Sequence, residues 1–564
     1  MIKKLPVPIG RTDYKKICEH NYYVDKTLLV RDILDEGADI VLFTRPRRFG
    51  KTLNMDMLRT FFEKTDVDTS KYFIDKKIWQ QGVEYTKLQG TYPVIFLSLK
   101  DIKAKDWHTA FELFKNIIEN EYARHQELEK SEELSVKDAR FYQKIINGTA
   151  TEADFMLSLQ ALSRMLHAKY KKAPVIIIDE YDTPIQEGYM NGYYAEAVGF
   201  IRNFFSAALK DNPHNTLSIL TGILRIAKES IFSGLNNIRI FSVLDRKFSS
   251  YFGFTTEEIK AMAAYYTAAD KVEELQEWYD GYKFGLTEIY NPWSVLNYFS
   301  NDCKAMPYWV QTSANTIIHE ILKSYNISTY ENLNRLLGGS SVESIIETNI
   351  IYPRLREPQT DILGFLLMTG YLKSTKTMLN EDGAYICELS IPNKEIKTIY
   401  RKEILALLTE NVGESTVNAL QNALVSKNVL KLREALSRFM VSTISYYDGL
   451  QENYYHGLML GLLAVFEHTY YVRSNRESGD GRYDIQLEPK RLDLPGIIIE
   501  IKAGANSEKE ELLKLAKLAL SQINSKKYAT ELFERGITTV YKYGIAFCKK
   551  AVEVVLDDGE EISR

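Results

Sequence analysis

Cysteine is scarce in this chain: four residues in 564, at Cys18, Cys303, Cys387 and Cys548. They lie far apart with no paired spacing, which argues against a disulfide framework or a cysteine-built zinc site and fits a reducing cytosol. No apolar run is long enough to cross a bilayer, and the longest, near residues 457–466, is expected as a buried helix. The two N-terminal lysines have no apolar stretch behind them, so no secretory signal is read there. A large excess of charge is also missing. The formal net charge of -4 speaks against coating nucleic acid through bulk charge, although a local basic groove stays open. Internal repeats and low-complexity linkers are absent too. These absences together lead to the expectation of a soluble cytoplasmic protein with no membrane partner.

What is present is enough apolar material for several cores. The chain is 45% hydrophobic and 26% charged, and its length suggests about three or four domains. Up to about residue 285, apolar strands alternate with helical stretches: strands at 93–99, 175–182 and 216–222, helices at 53–64, 107–130, 152–171 and 195–209. That alternation predicts an α/β fold with a mostly parallel sheet covered on both faces. Residues 286–398 turn mostly helical and end in an expected hairpin around Asn380-Glu381-Asp382-Gly383, compatible either with a winged-helix module or with a plain helical spacer. Residues 399–564 open with helices, then read as helix (452–468), three strands, helix (508–524) and a last strand.

The first block is organised around residues 40–54, IVLFTRPRRFGKTLN. They read as a buried strand, a tight basic loop and the first turn of an amphipathic helix. This is the order of elements in a phosphate-binding P-loop. Main-chain N–H groups of Arg48, Phe49 and Gly50 and of the helix start would wrap an anion, Lys51 would reach the outer phosphates, and Thr52 could join magnesium. One element of the usual G-x-x-x-x-G-K-[ST] pattern is lacking, because Arg45 stands at its first glycine. The strand at 175–182 carries Asp179, suited to holding magnesium, and Glu180, suited to polarising an attacking water. Thr221, at the end of the next strand, would face the γ-phosphate, and Arg225 could steady transition-state charge. Each of these residues taken alone also reads as a cap or surface residue.

Further strings give the chain a resemblance. They are YYVDKT at 22–27, RPRRFGKT at 45–52, IIIDEYDTPI at 176–185, TGILRIAKESIFSGLNN at 221–237, YDGYKFG at 279–285, YNPWSVLNY at 290–298 and LMTGYL at 367–372. They resemble the AAA-ATPase-like proteins that carry a C-terminal PD-(D/E)XK nuclease-superfamily domain. In that family the arginine-rich loop without its first glycine is the usual form. The resemblance implies ATP and Mg2+ as ligands, relatives among the AAA and signal-transducing ATPases, and a homo-oligomer as one compatible state. The tyrosine-rich strings around Asp280 and Asn291 read as turns and caps rather than as catalytic groups.

The third block supplies a second chemistry. Nucleases of the PD-(D/E)XK type place an aspartate on one strand and Glu-x-Lys on the next, where the carboxylates hold magnesium and the lysine positions or activates water. Here Asp484 lies on GRYDIQLEP, and Glu500 and Lys502 lie on GIIIEIKAG, both on one face by strand alternation. Glu-x-Lys also occurs at Glu258/Lys260 and Glu395/Lys397, but only the copy at Glu500 follows an apolar strand and has an aspartate-bearing strand before it. Gln522, followed by Tyr528, resembles a glutamine of some exonuclease members, and His456 or Glu452 could complete a metal site. The expectation is therefore an ATPase of residues 1–285, a connector of 286–398 and a nuclease-like domain of 399–564 acting on nucleic acid, DNA before RNA. The alternative is an ATP-operated switch or scaffold whose terminal domain only binds.

Overall fold

The computed structural model describes residues 4–226, 237–311, 332–333, 335–336, 339–348, 352, 362–400, 414–443, 452–463, 466, 469–478, 481–505 and 508–557. The first sheet is built from β1 (Ile40–Thr44), β2 (Val94–Ser98), β3 (Val175–Asp179), β4 (Leu217–Gly222) and β5 (Ile238–Phe241), in spatial order β2-β3-β4-β1-β5. Every pairing in it is parallel. β1, β3 and β4 are buried at every position, whereas β2 and β5 carry partly exposed ones. Centre strands covered on both faces need continuous apolar runs, and edge strands do not. The α/β expectation is met.

Helices fall close to where the apolar periodicity placed them. Lys51–Phe62, Glu152–Tyr170 and Tyr194–Leu209 match, and the second of these starts with a capping box between Thr151 and Asp154. The helix expected over 107–130 stops at Arg124, because His125 leaves helical dihedrals and a 3-10 turn, Gln126–Leu128, follows. Helix Val136–Ile146, capped by Ser135, was not expected.

After this sheet, β6 (Tyr282–Phe284) and β7 (Thr287–Ile289) form a small hairpin, followed by helix Pro292–Ser300. Asn291 caps that helix, accepting from Ser294 N at 3.3 Å, in agreement with the capping role read for this string. β8 (Val342–Ile346), β9 (Lys373–Leu379) and β10 (Tyr385–Ser390) make a three-stranded sheet whose β9–β10 hairpin turns at the expected Asn380–Gly383. Helix Ile362–Met368 precedes it.

The C-terminal sheet runs β11 (Tyr470–Ser478), β12 (Gly481–Pro489), β13 (Gly496–Ala503), β14 (Val540–Cys548) and β15 (Ala551–Asp557), in that order in space. Only β13–β14 is parallel. The last apolar run, read from sequence as one strand, is a hairpin: Lys549 takes φ 50 and turns β14 back into β15. One face of the sheet closes on a core with Leu424, Phe439 and Met459, and the other on helix Lys509–Ser525. The chain divides into two compact units, Met1–Gln311 with Glu343–Glu395, and Thr312–Val342 with Ile396–Arg564. Residues of the expected connector are thus shared between the units. Among the described residues no helix is long and apolar enough to cross a membrane.

Candidate functional site

The phosphate loop joins β1 to helix Lys51–Phe62. Gly50 sits at the helix N-cap with φ 79, and Arg48 also has positive φ, 71, while Phe49 between them does not. Alternation of sign turns successive N–H groups toward one point, forming an anion nest in front of a helix N-terminus. Lys51 Nζ folds back to donate to the carbonyls of Arg45 (3.1 Å) and Pro46 (3.0 Å). Burial pulls the Lys51 ammonium below its usual range, and the carboxylates of Glu180, Asp179 and Asp182 oppose that.

Asp179 ends β3, one strand away from the loop, and β4 lies between. That order places Thr221 of β4 beside it. Thr52 Oγ1 donates to one Asp179 oxygen at 2.7 Å and Thr221 Oγ1 to the other at 2.6 Å. Burial raises the Asp179 carboxyl above its ordinary value, with the two hydroxyls working against the rise. Thr52 and Asp179 are therefore adjacent oxygen donors, a set that fits Mg2+, which takes one or two protein ligands beside phosphate and water. Glu180 follows at φ 53, its N–H reaching Thr221 Oγ1 at 3.4 Å, and it lines the cavity beside the loop.

That cavity reaches beyond the loop. Its far side is mainly apolar, with Pro8, Tyr22, Val24, Met262, Trp293 and Leu296. These wall residues were not assigned to the site from sequence. The strings at 22–27 and 290–298 were conspicuous, but nothing local in them says that they face a loop far away in the chain. Arg48 stacks on Trp293, 3.9 Å from ring centroid to guanidinium. Arg47 turns to Gln186 instead (3.1 Å), and neither Arg47 nor Arg225 is part of the cavity wall. Phe49 packs its ring against Tyr282 and Phe284, so its contribution to an anion is the main chain.

Arg45 is fully buried. Its guanidinium donates to the carbonyls of Thr44 (2.9 Å), Phe241 (2.8 Å) and Phe248 (3.4 Å) and lies over the rings of Phe252 and Phe284. Burial lowers its pKa to about 9. The residue at the missing glycine is thus a strut between the loop and the β5 region.

In the C-terminal sheet, β12 and β13 pair from Leu487↔Ile497 to Ile485↔Ile499 and then part. Where the ladder ends, carboxylates take over its N–H groups: Asp484 Oδ2 accepts from Ile501 N at 2.8 Å, and Glu500 Oε2 from Asp484 N at 3.3 Å. Lys502 Nζ lies 3.5 Å from Glu500 Oε1 and 3.4 Å from Glu452 Oε1. His456 Nε2 is 2.9 Å from the Asp484 carbonyl. Gln522 donates its amide to Glu500 Oε1 and lies 3.3 Å from the Tyr528 hydroxyl. All seven side chains marked from sequence are linked in this one network.

Burial, and then the neighbouring Asp484 charge, raise Glu500 to about 7. Asp484 is also raised, chiefly by burial. Lys502 is held up by Glu452, Glu500 and Asp484 against the lowering effect of its burial. Two adjacent carboxylates, Glu500 buried and Asp484 partly buried, that resist ionisation together could hold a cation. Among the described residues no three His, Cys, Asp or Glu side chains converge to hold a metal alone. A pair that leaves positions for water and phosphate suits Mg2+ better than a closed structural site would.

Loop and acid strand on a parallel sheet define a P-loop type of α/β unit, and the parted strands define a nuclease-like mixed sheet. Residues 8–232 match the family described as "Predicted AAA-ATPase", and residues 450–556 match the PD-(D/E)XK nuclease superfamily. The chain thus carries an AAA-ATPase-like N-terminal domain and a C-terminal domain of that superfamily. It is also 24% identical over 576 residues to an "Uncharacterized protein in vnfD 5'region" of Azotobacter chroococcum mcd 1, an alignment covering 98% of each chain.

Proposed function

We propose that the protein binds and hydrolyses ATP and couples this to metal-dependent cleavage of nucleic acid, DNA before RNA. The observation that carries the reading is the network at the parting of β12 and β13, where Asp484, Glu500 and Lys502 meet. A structural remnant would have no reason to keep two carboxylates side by side with raised pKa values beside a lysine.

In the first unit the nest of Arg48–Gly50 would receive the phosphates, and Lys51 would exchange its loop carbonyls for their oxygens. Thr52 and Asp179 would hold Mg2+, which supplies charge neutralisation on the β- and γ-phosphates when bound. Glu180 would accept a proton from the attacking water, with Thr221 sensing the γ-phosphate end. In the second unit Asp484 and Glu500 would hold Mg2+, Lys502 would orient water against the scissile phosphate, and Gln522 would fix Glu500. The alternative reading is an ATP-operated scaffold with a binding-only terminal domain.

ATP turnover and equilibrium nucleotide binding test the first unit. Glu180→Gln is expected to cut turnover by roughly a hundredfold or more while binding is retained, and Lys51→Ala to lose binding. Equal turnover by Glu180→Gln contradicts the assignment of the base.

A further inference from the structure

The chain passes between its two compact units at 311/312, 342/343 and 395/396. Two of these exits are tied together inside the first unit. Glu395, the last residue before the third crossing, is fully buried and accepts from Trp309 N at 2.8 Å, two residues before the first crossing. Its other oxygen accepts from Ser294 Oγ at 2.8 Å. The partners that surround this carboxylate are neutral hydrogen-bond donors, and burial lifts its pKa to about 7. Isolating a carboxylate from water without a counter-charge is costly, and a plain spacer helix has no need of it.

Both ends of this tie lead back to the phosphate loop. Ser294 adjoins Trp293, which stacks on Arg48 of the loop. Trp309 stacks on Tyr371 (5.0 Å between centroids) and meets Tyr282 edge-on (6.3 Å), and Tyr282 in turn packs on Phe49 of the loop (4.9 Å). Gly370 closes the same route. A Cβ there would lie 2.9 Å from Pro46 of the loop and 3.5 Å from Trp309. Phe49 of the loop therefore reaches Trp309 through one aromatic ring, Arg48 stacks on the chain neighbour of Ser294, and Pro46 lies beside Gly370, which also faces Trp309.

We infer that Glu395 is a latch that ties occupancy of the phosphate loop to the two chain segments leading into the second unit. The inference rests on the nucleotide-binding reading of that loop. When phosphate draws Lys51 off the carbonyls of Arg45 and Pro46, the loop re-packs against Gly370 and Tyr282. Trp309 and Glu395 then carry the shift to residues 309–311 and 394–400, the latter already helical. Close-packed interiors pass on such shifts because they cannot deform continuously.

Hydrogen–deuterium exchange on the full chain, with and without adenylyl imidodiphosphate and magnesium, tests this. In the wild type the analogue is expected to change exchange at 309–311 and 394–400 by about fivefold or more. Glu395→Gln should bind the analogue with affinity within about twofold of wild type but lose that change. Ser294→Ala, which removes one hydrogen bond and leaves the buried carboxyl in place, keeps the test meaningful if Glu395→Gln folds poorly, and it should weaken the response. Analogue binding with no change in these segments in the wild type, or a full response in both variants, overturns the latch alone. Absence of analogue binding in the wild type overturns the latch together with the nucleotide reading.

Discussion

Arg45 and Glu500 bury charge for opposite ends. Arg45 satisfies its guanidinium on three carbonyls and two aromatic faces, so its charge serves to brace the loop. From sequence it looked like a departure from a motif, and its surroundings had no local signal. The burial that decided the matter comes from Phe241, Phe248, Phe252 and Phe284, all about 200 or more positions away in the chain. Glu500 is left with a shortage of cations. Its carboxyl is raised from 4.5 to about 7, so between those values the folded state holds a proton that the unfolded state has released. The contribution of Glu500 to the stability of the second unit without metal is therefore fully present below pH 4.5 and is lost as pH rises toward 7. Glu500→Gln is expected to raise metal-free stability above pH 7 by roughly 1–3 kcal/mol and to change little below pH 4.5. Thermal unfolding across that range checks this, and Mg2+ should stabilise the wild type but not the variant. A variant less stable than wild type at pH 8 would contradict the assignment.

At the level of elements, the strand order does the positioning. Because β4 separates β1 from β3, Thr221 reaches Asp179 while Thr52 reaches it from the other side. Gly222, just after Thr221, is the point of closest approach, since a Cβ there would lie 2.5 Å from the Tyr181 ring and 2.8 Å from Asp182 Oδ1. Asp182 in turn holds the N–H groups of Ile223 and Leu224. Gly222→Ala is expected to destabilise the first unit by about 1–3 kcal/mol through overpacking, measurable by urea denaturation. An unchanged midpoint would show that this junction yields without cost.

The apolar strands and the two acid-bearing strands were legible because their signals are local: unbroken aliphatic runs, and Asp or Glu-x-Lys at fixed places on them. The β14–β15 hairpin was not. Its turn is Lys549-Lys550, which carries no Gly, Pro or Asn signal, and the apolar runs on either side read as one strand. Helix Val136–Ile146 escaped notice because its buried face rests on few residues, among them Tyr142 and Ile145. The far wall of the nucleotide cavity was equally hidden, since it is assembled from residues 8–24 and 254–296, and pairing across that distance leaves no pattern along the chain.

For the whole molecule, an AAA-ATPase-like domain and a nuclease-superfamily domain stand on one chain, and the alignment to the Azotobacter chroococcum protein runs the length of both. In the proposed reading the first controls the second through a change of packing on nucleotide binding. The latch at Glu395 would make that control local to the crossings between units. The most direct test is cleavage of single- and double-stranded DNA and RNA with Mg2+, in the presence and absence of ATP, by wild type, Asp484→Ala and Lys502→Ala. The account predicts metal-dependent cleavage by the wild type that ATP alters and that both variants lose while remaining folded. Equal cleavage by the variants, or none by the wild type with either Mg2+ or Mn2+, would contradict it.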